Sequence, residues 1–220
     1  MKMPFTPEQF FNVFAQYNLA VWPMQGVIYA LAIAALILAL REIKYSNRII
    51  SAILAFLWLW MGLVYHWGYF STINGAAYVF GGFFIIQSGL FLVAGTLKQK
   101  LWFRFHPNNY AIIGALFILY GLVIYPVLGY ALEHRYPYTP TFGLPCPTTI
   151  FTFGLLLWTD KKIPKYLLII PVLWSILGLS AALQLGVWED VMLVITGIAT
   201  PMMIYYRDMR EAELVHRPGF

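Results

Sequence analysis

The chain has 220 residues, of which 61% are hydrophobic and 10% charged, with a mean hydropathy of +0.72. Globular proteins carry about 25% charged residues, so the composition excludes a water-soluble enzyme, a disordered chain and, with one cysteine, a disulfide scaffold. The net charge of +5 does not indicate nucleic-acid binding, because the basic residues are spread among several short loops instead of forming one patch. These properties predict an integral membrane protein.

The N-terminal segment has the pattern of a short amphipathic helix. Thr6, Pro7 and Gln9 fit a helix N-cap, a first-turn proline and a capping-box glutamine. The aromatic residues that follow recur on one helical face. We interpret residues 5–18 as an interfacial helix on the outer membrane surface. A lid packed on the helix bundle is the alternative that this pattern leaves open.

Seven apolar runs follow, and a membrane helix needs about 20 apolar residues. The predicted spans are 21–40, 49–70, 75–97, 110–132, 148–159, 166–185 and 191–206. Residues 207–220 form a cytoplasmic tail, so that residues 1–220 make a single membrane domain. The predicted fold is therefore an all-α integral membrane protein with seven transmembrane helices, although the fifth run is much shorter than the others.

The basic residues predict the orientation, because Lys and Arg favour short cytoplasmic loops. All of the 14 except Lys2 and Arg135 fall between spans one and two, between three and four, between five and six, or after span seven. This distribution places the N-terminus outside and the C-terminus in the cytoplasm. It also requires the short fifth run to count as a span, since otherwise Lys161 and its basic neighbours would face the outside.

The acidic residues and the catalytic motifs argue against several functions. All nine acids are placed at span ends, Glu189 and Asp190 among them in the outer loop before the last span. A carboxylate-based proton pump is therefore disfavoured, because such pumps carry acids within their spans. The chain has no HExxH, GxSxG or CxxC motif. An enzyme is consequently less favoured than a protein without catalytic activity.

The segment before the fifth run predicts a broken helix. Residues 136–149 contain four prolines, which prevent a regular helix, and the helix is predicted to start at Thr148. That start lies about 10 Å beneath the outer hydrocarbon boundary, by helix rise against bilayer thickness. Irregular backbone at this depth is tolerated only where it is buried in protein or lines a cavity. Transporters use broken helices in this way, so we expect an outward-facing pocket here.

The polar residues expected at the same depth define the predicted pocket. They are Cys146, His66, Thr148, Thr149, Gln25 and Gln184. Cys146 and His66, with His134 in the loop, are donors that suit a soft metal ion. Each also has an ordinary structural explanation, since a buried lone cysteine usually acts as a small hydrophobic residue and a buried histidine usually bonds a neighbouring helix.

Two functional hypotheses follow from these patterns. In the first, the chain binds or passes a small uncharged solute or a soft metal ion through the pocket. In the second, it is a non-catalytic subunit or assembly factor of a larger membrane complex, with partner membrane subunits or a second copy in addition to the lipid bilayer. A membrane enzyme using the Cys146 thiol is a third and weaker alternative. The expected location is the bacterial cytoplasmic membrane.

Three stretches carry a resemblance to a known family. They are PFTPEQFF at residues 4–11, AVWPMQ at 20–25 and FGLPCPTTIFTFGLLLW at 142–158. With them the whole chain resembles a family of uncharacterised multi-span bacterial integral membrane proteins. The resemblance implies a membrane fold and marks the segment around Cys146 for testing, but it implies no activity and no site residues.

Overall fold

A computed structural model describes residues 4–215 of the chain, which fold mainly as helices. These are α1 (Pro7–Val21), α2 (Met24–Arg41), α3 (Ser46–Trp60), α4 (Ala77–Phe91), α5 (Asn109–Leu119), α6 (Tyr125–Ala131), α7 (Pro145–Leu157), α8 (Ile169–Leu185) and α9 (Val191–Val215). Residues 4–215 contain no β-strand and only two isolated bridges. The predicted all-helical fold is confirmed.

Several of these helices continue through wider turns. π-Helical segments extend α3 and α4 and join α5 to α6. Within residues 4–215, five continuous helices are long and apolar enough to cross a membrane: Met24–Arg41, Ser46–Thr72, Ala77–Leu97, Asn109–Ala131 and Lys165–Leu185. They correspond to predicted spans one to four and six, which supports a multi-span membrane protein. Helix α7, with 13 residues, is shorter, and seven spans remain a prediction.

Helix α1 packs against the other helices. Its capping box forms as predicted, with Thr6 Oγ1 accepting from the Gln9 amide at 3.3 Å and Gln9 Oε1 accepting from the Thr6 amide at 2.9 Å. On its buried face, the Tyr17 hydroxyl accepts a hydrogen bond from Trp60 Nε1 at 2.7 Å and donates to the Gly143 carbonyl at 3.5 Å. This packing agrees with the alternative in which the N-terminal helix is a lid on the helix bundle.

Helix α7 lies inside the bundle, where every one of its residues except Cys146 is buried. It packs against α5 at two glycines, and a methyl group on Gly114 would come within 2.7 Å of the Gly154 carbonyl oxygen. Such small-residue contacts let helix backbones approach closely in membranes. The short helix is therefore enclosed by protein along its whole length.

The basic connecting segments meet at one end of the bundle. The Arg104 amide donates to the Trp158 carbonyl at 2.7 Å, and the Arg104 side chain forms ion pairs with Glu42 and Asp160. From α9, Arg207 Nη1 donates to the Thr159 carbonyl at 2.5 Å. The segments after α2, α4 and α7 and the charged part of α9 thus lie together, as the charge pattern requires.

A candidate ligand cavity

A cavity of about 150 Å³ lies at the end of the bundle opposite to these basic segments. It is surrounded by the irregular segment before α7, the aromatic face of α1, the extension of α3 that ends at Thr72, and helix α8. Its lining comprises Phe5, Phe10, Phe14, Tyr65, Phe70, Asn74, Phe80, Tyr125, Pro140, Leu144, Pro145, Cys146, Pro147, Trp174, Leu177, Gly178, Ser180, Leu185 and Asp190. The wall is therefore largely aromatic, with a few polar groups.

Helix α1 closes the cavity through aromatic contacts. The Phe10 ring lies 4.7 Å from that of Phe14 and 6.0 Å from that of Phe70, while Phe14 lies 6.1 Å from Tyr65. Phe5 packs edge-on against Phe70 at 5.6 Å. The rings that repeat along the α1 sequence thus form one side of the cavity and pack against the end of α3.

The irregular segment is held by two side chains from the N-terminal helices. Asn18 Nδ2 donates to the carbonyls of Pro137 and Thr139 at 2.6 and 2.8 Å, and Asn18 Oδ1 accepts from Gln25 Nε2 at 2.7 Å and from the Thr141 hydroxyl at 3.0 Å. Satisfied backbone groups allow a non-helical chain to be buried. Gln25, which the sequence placed in the pocket, therefore supports its wall.

The start of α7 brings Cys146 to the cavity. Gly143 has a φ of +101°, which favours glycine, and its amide donates to Thr148 Oγ1 at 3.0 Å. Thr148 thereby fixes the turn into the helix and does not line the cavity. Thr149 is fully buried, with a hydroxyl that has no hydrogen-bond partner in residues 4–215.

Asp190 supplies the polar floor of the cavity, at the turn between α8 and α9. It is 1% exposed. The Tyr125 hydroxyl donates to Asp190 Oδ1 at 2.5 Å, and the Cys146 thiol donates to Asp190 Oδ2 at 3.5 Å. Burial raises the pKa of the Asp190 carboxyl, and these two hydrogen bonds lower it in part. The sequence placed this acid in the outer loop and not in the pocket.

Glu189 is also buried, beside Asp190 but outside the cavity lining. Its Oε1 lies 2.9 Å from His134 Nδ1, and its Oε2 has no hydrogen-bond partner among the described residues. His134, a predicted metal ligand, thus pairs with an acid that the sequence assigned to the surface. The bundle consequently buries two neighbouring carboxyl groups at this end.

His66 and Gln184 lie outside the cavity lining. The His66 side chain is fully buried, and neither ring nitrogen has a partner among residues 4–215. Its ring packs 4.7 Å from Phe84 and 5.1 Å from Trp174. Gln184 is exposed on α8. Of the six predicted pocket residues, Cys146 alone lines the cavity.

The donors for a soft metal ion are not brought together in the described part of the chain. No group of three His, Cys, Asp or Glu side chains there is arranged to hold a metal ion. Asp190 is the cavity-lining acid that the sequence analysis did not place in the pocket. The sequence feature that could have indicated its burial is the short Gly186–Asp190 connection between α8 and α9. Such a short connection holds two adjacent acids close to the helix bundle.

These observations define an all-helical protein with membrane-spanning character and an aromatic cavity under its N-terminal helix. Residues 7–214 match the model of DUF6064, described as a family of unknown function, and the chain belongs to this family. No curated protein and no solved structure matches the chain. The expected resemblance to an uncharacterised family is thereby confirmed.

Proposed function

We propose that the chain spans the bacterial cytoplasmic membrane seven times, with α7 and α9 as the fifth and seventh spans and the N-terminus outside. The clustering of the basic segments at one end supports this orientation, because Lys and Arg favour the cytoplasmic side. The burial of α7 supports its inclusion, since a short helix enclosed by protein needs no lipid contact of its own. The cavity then faces outward.

We propose further that this cavity binds a small, largely apolar solute. The observation that carries the proposal is an aromatic space of about 150 Å³ with a polar floor, since apolar cavities of about this volume accommodate a benzene-sized molecule. Ligand sites in proteins are typically apolar with a few placed polar groups. Towards the basic end, Phe151 and Phe153 of α7 are fully buried. This supports binding over passage, because passage would require α7 to move.

Filling the cavity tests this function. Leu177 lines the cavity and is 42% exposed, so Leu177→Trp is expected to occupy the space without disrupting the fold. Fluorobenzene is the probe, and its saturable binding to protein in nanodiscs is measured by fluorine NMR line broadening. We expect saturable binding to the wild type and at least a fivefold loss of affinity in Leu177→Trp.

The matched control is Ile176→Trp, which adds the same ring at a 61% exposed position outside the cavity lining. It is expected to bind the probe like the wild type, because the added ring does not enter the cavity. Partition of the probe into lipid gives the same background signal in both proteins. Equal broadening for all three proteins would mean that the probe enters only the bilayer. The binding proposal would then be wrong, and the role of a complex subunit would become the better explanation.

A further inference from the structure

Resting on the proposed binding function, we infer that the solute is a small organic cation, an alkylammonium or quaternary ammonium compound, with Asp190 as its counter-charge. The cavity combines the two features that recognise such ions, a buried carboxyl group and a wall of aromatic rings. A neutral apolar solute would require the rings and not the acid.

The surroundings of Asp190 lack a compensating positive charge. Its side-chain partners, Tyr125 and Cys146, are neutral hydrogen-bond donors. Within residues 4–215, no Lys, Arg or His forms a salt bridge with it, and the nearby His134 pairs with Glu189 instead. Without a cation nearby, burial favours the neutral form of the carboxyl group. A bound cation would stabilise the charged form, so that Asp190 could act as its counter-charge.

The aromatic wall favours the same class of ligand. Eight of the lining residues carry aromatic rings: Phe5 before α1, and seven more from α1, the extension of α3, α4, α6 and α8. Their negative faces attract a cation that has shed its water, and quaternary ammonium groups are bound in this way. Among these rings, the indole of Trp174 attracts a cation most strongly. The aromatic wall therefore suits a cation with an apolar surface.

The volume limits the size of that cation. A space of about 150 Å³ holds roughly six non-hydrogen atoms, by comparison with benzene in a cavity of similar volume. Tetramethylammonium is of this size, and tert-butanol has the same number of heavy atoms and nearly the same shape but no charge. Both are water-soluble, so that this pair isolates the effect of charge on binding.

The experiment compares the two compounds on the protein in nanodiscs. Each is titrated directly by saturation-transfer NMR and in competition with fluorobenzene, for the wild type, Asp190→Asn and Glu189→Gln. We expect tetramethylammonium to bind the wild type at least tenfold more tightly than tert-butanol. This preference should be lost in Asp190→Asn and retained in Glu189→Gln, which removes the adjacent buried acid that does not line the cavity.

The outcomes separate this inference from the proposal on which it rests. If fluorobenzene binds in the cavity but tetramethylammonium has no advantage over tert-butanol, the cation assignment is overturned and the binding function stands. If no probe binds saturably, both are overturned. Saturable fluorobenzene binding in Asp190→Asn shows that the variant is folded, and a cation preference that survives in that variant would assign the counter-charge to another group.

Discussion

Gly154→Leu is expected to lower the free energy of unfolding by about 3 kcal/mol, at the upper end for overpacked cores. A Cβ at this position would lie 2.6 Å from the Gly114 carbonyl oxygen and 2.7 Å from Ile118 Cγ1, so that α5 and α7 would have to separate. Backbone cannot move aside as a flexible side chain can. The change is measured as the denaturant or thermal midpoint of the purified protein.

The control for this substitution is Gly89→Leu on α4, where a Cβ would meet no atom within 4 Å. Leucine there faces outward and is expected to change the free energy of unfolding by no more than about 0.5 kcal/mol, as surface substitutions generally do. The unfolding midpoint should therefore stay close to the wild-type value. Equal midpoints for the two leucine variants would show that α5 and α7 do not pack at these glycines. That result would contradict the placement of α7 inside the helix bundle.

Asn18→Ala is expected to have a comparable effect, with a loss of about 3 kcal/mol. It removes hydrogen bonds to the buried Thr139 carbonyl and the half-buried Pro137 carbonyl, and it leaves Gln25 and Thr141 without their shared acceptor. Each buried polar group left unsatisfied costs about 1–3 kcal/mol. Because the freed segment leads into Cys146, the thiol should also react faster with a small maleimide, which mass spectrometry measures.

Asn12→Ala is the matched control, because Asn12 lies on the exposed side of the same helix. It should leave both stability and thiol reactivity at wild-type values. An unchanged midpoint and reaction rate in Asn18→Ala would contradict the role of Asn18 in holding the segment before α7.

Much of the fold could be predicted from the sequence because its causes are local. Apolar runs of membrane-spanning length predict helices directly, and five of the predicted spans correspond to continuous helices that can cross a membrane. The capping box at Thr6 depends on residues three positions apart and forms as predicted. The place of the break before α7 follows from its prolines, although the helix begins at Pro145, three residues before the predicted start at Thr148.

The composition of the site could not be predicted because it depends on how helices are rotated against each other. Depth in the membrane placed His66 beside Cys146, yet the π-helical extension of α3 turns His66 towards Phe84 and Trp174. Depth also placed Gln184 in the pocket, but it lies on the exposed side of α8. Asp190 reads as a loop residue and becomes buried through the tight turn into α9, which no periodicity indicates.

The most direct test of an outward-facing, cation-binding cavity uses Cys146, because it is the chain's single cysteine. Sealed vesicles of known orientation are treated with two membrane-impermeant methanethiosulfonates, one carrying a trimethylammonium group and the other a sulfonate. Each rate is divided by the rate of the same reagent with a free thiol in solution, because a thiolate by itself reacts faster with a cationic reagent. After this normalisation, we expect the cationic reagent to modify Cys146 from the outer side at least tenfold faster than the anionic one, and Leu177→Trp to slow it. Modification from the cytoplasmic side alone, or equal normalised rates for both reagents, would contradict the account.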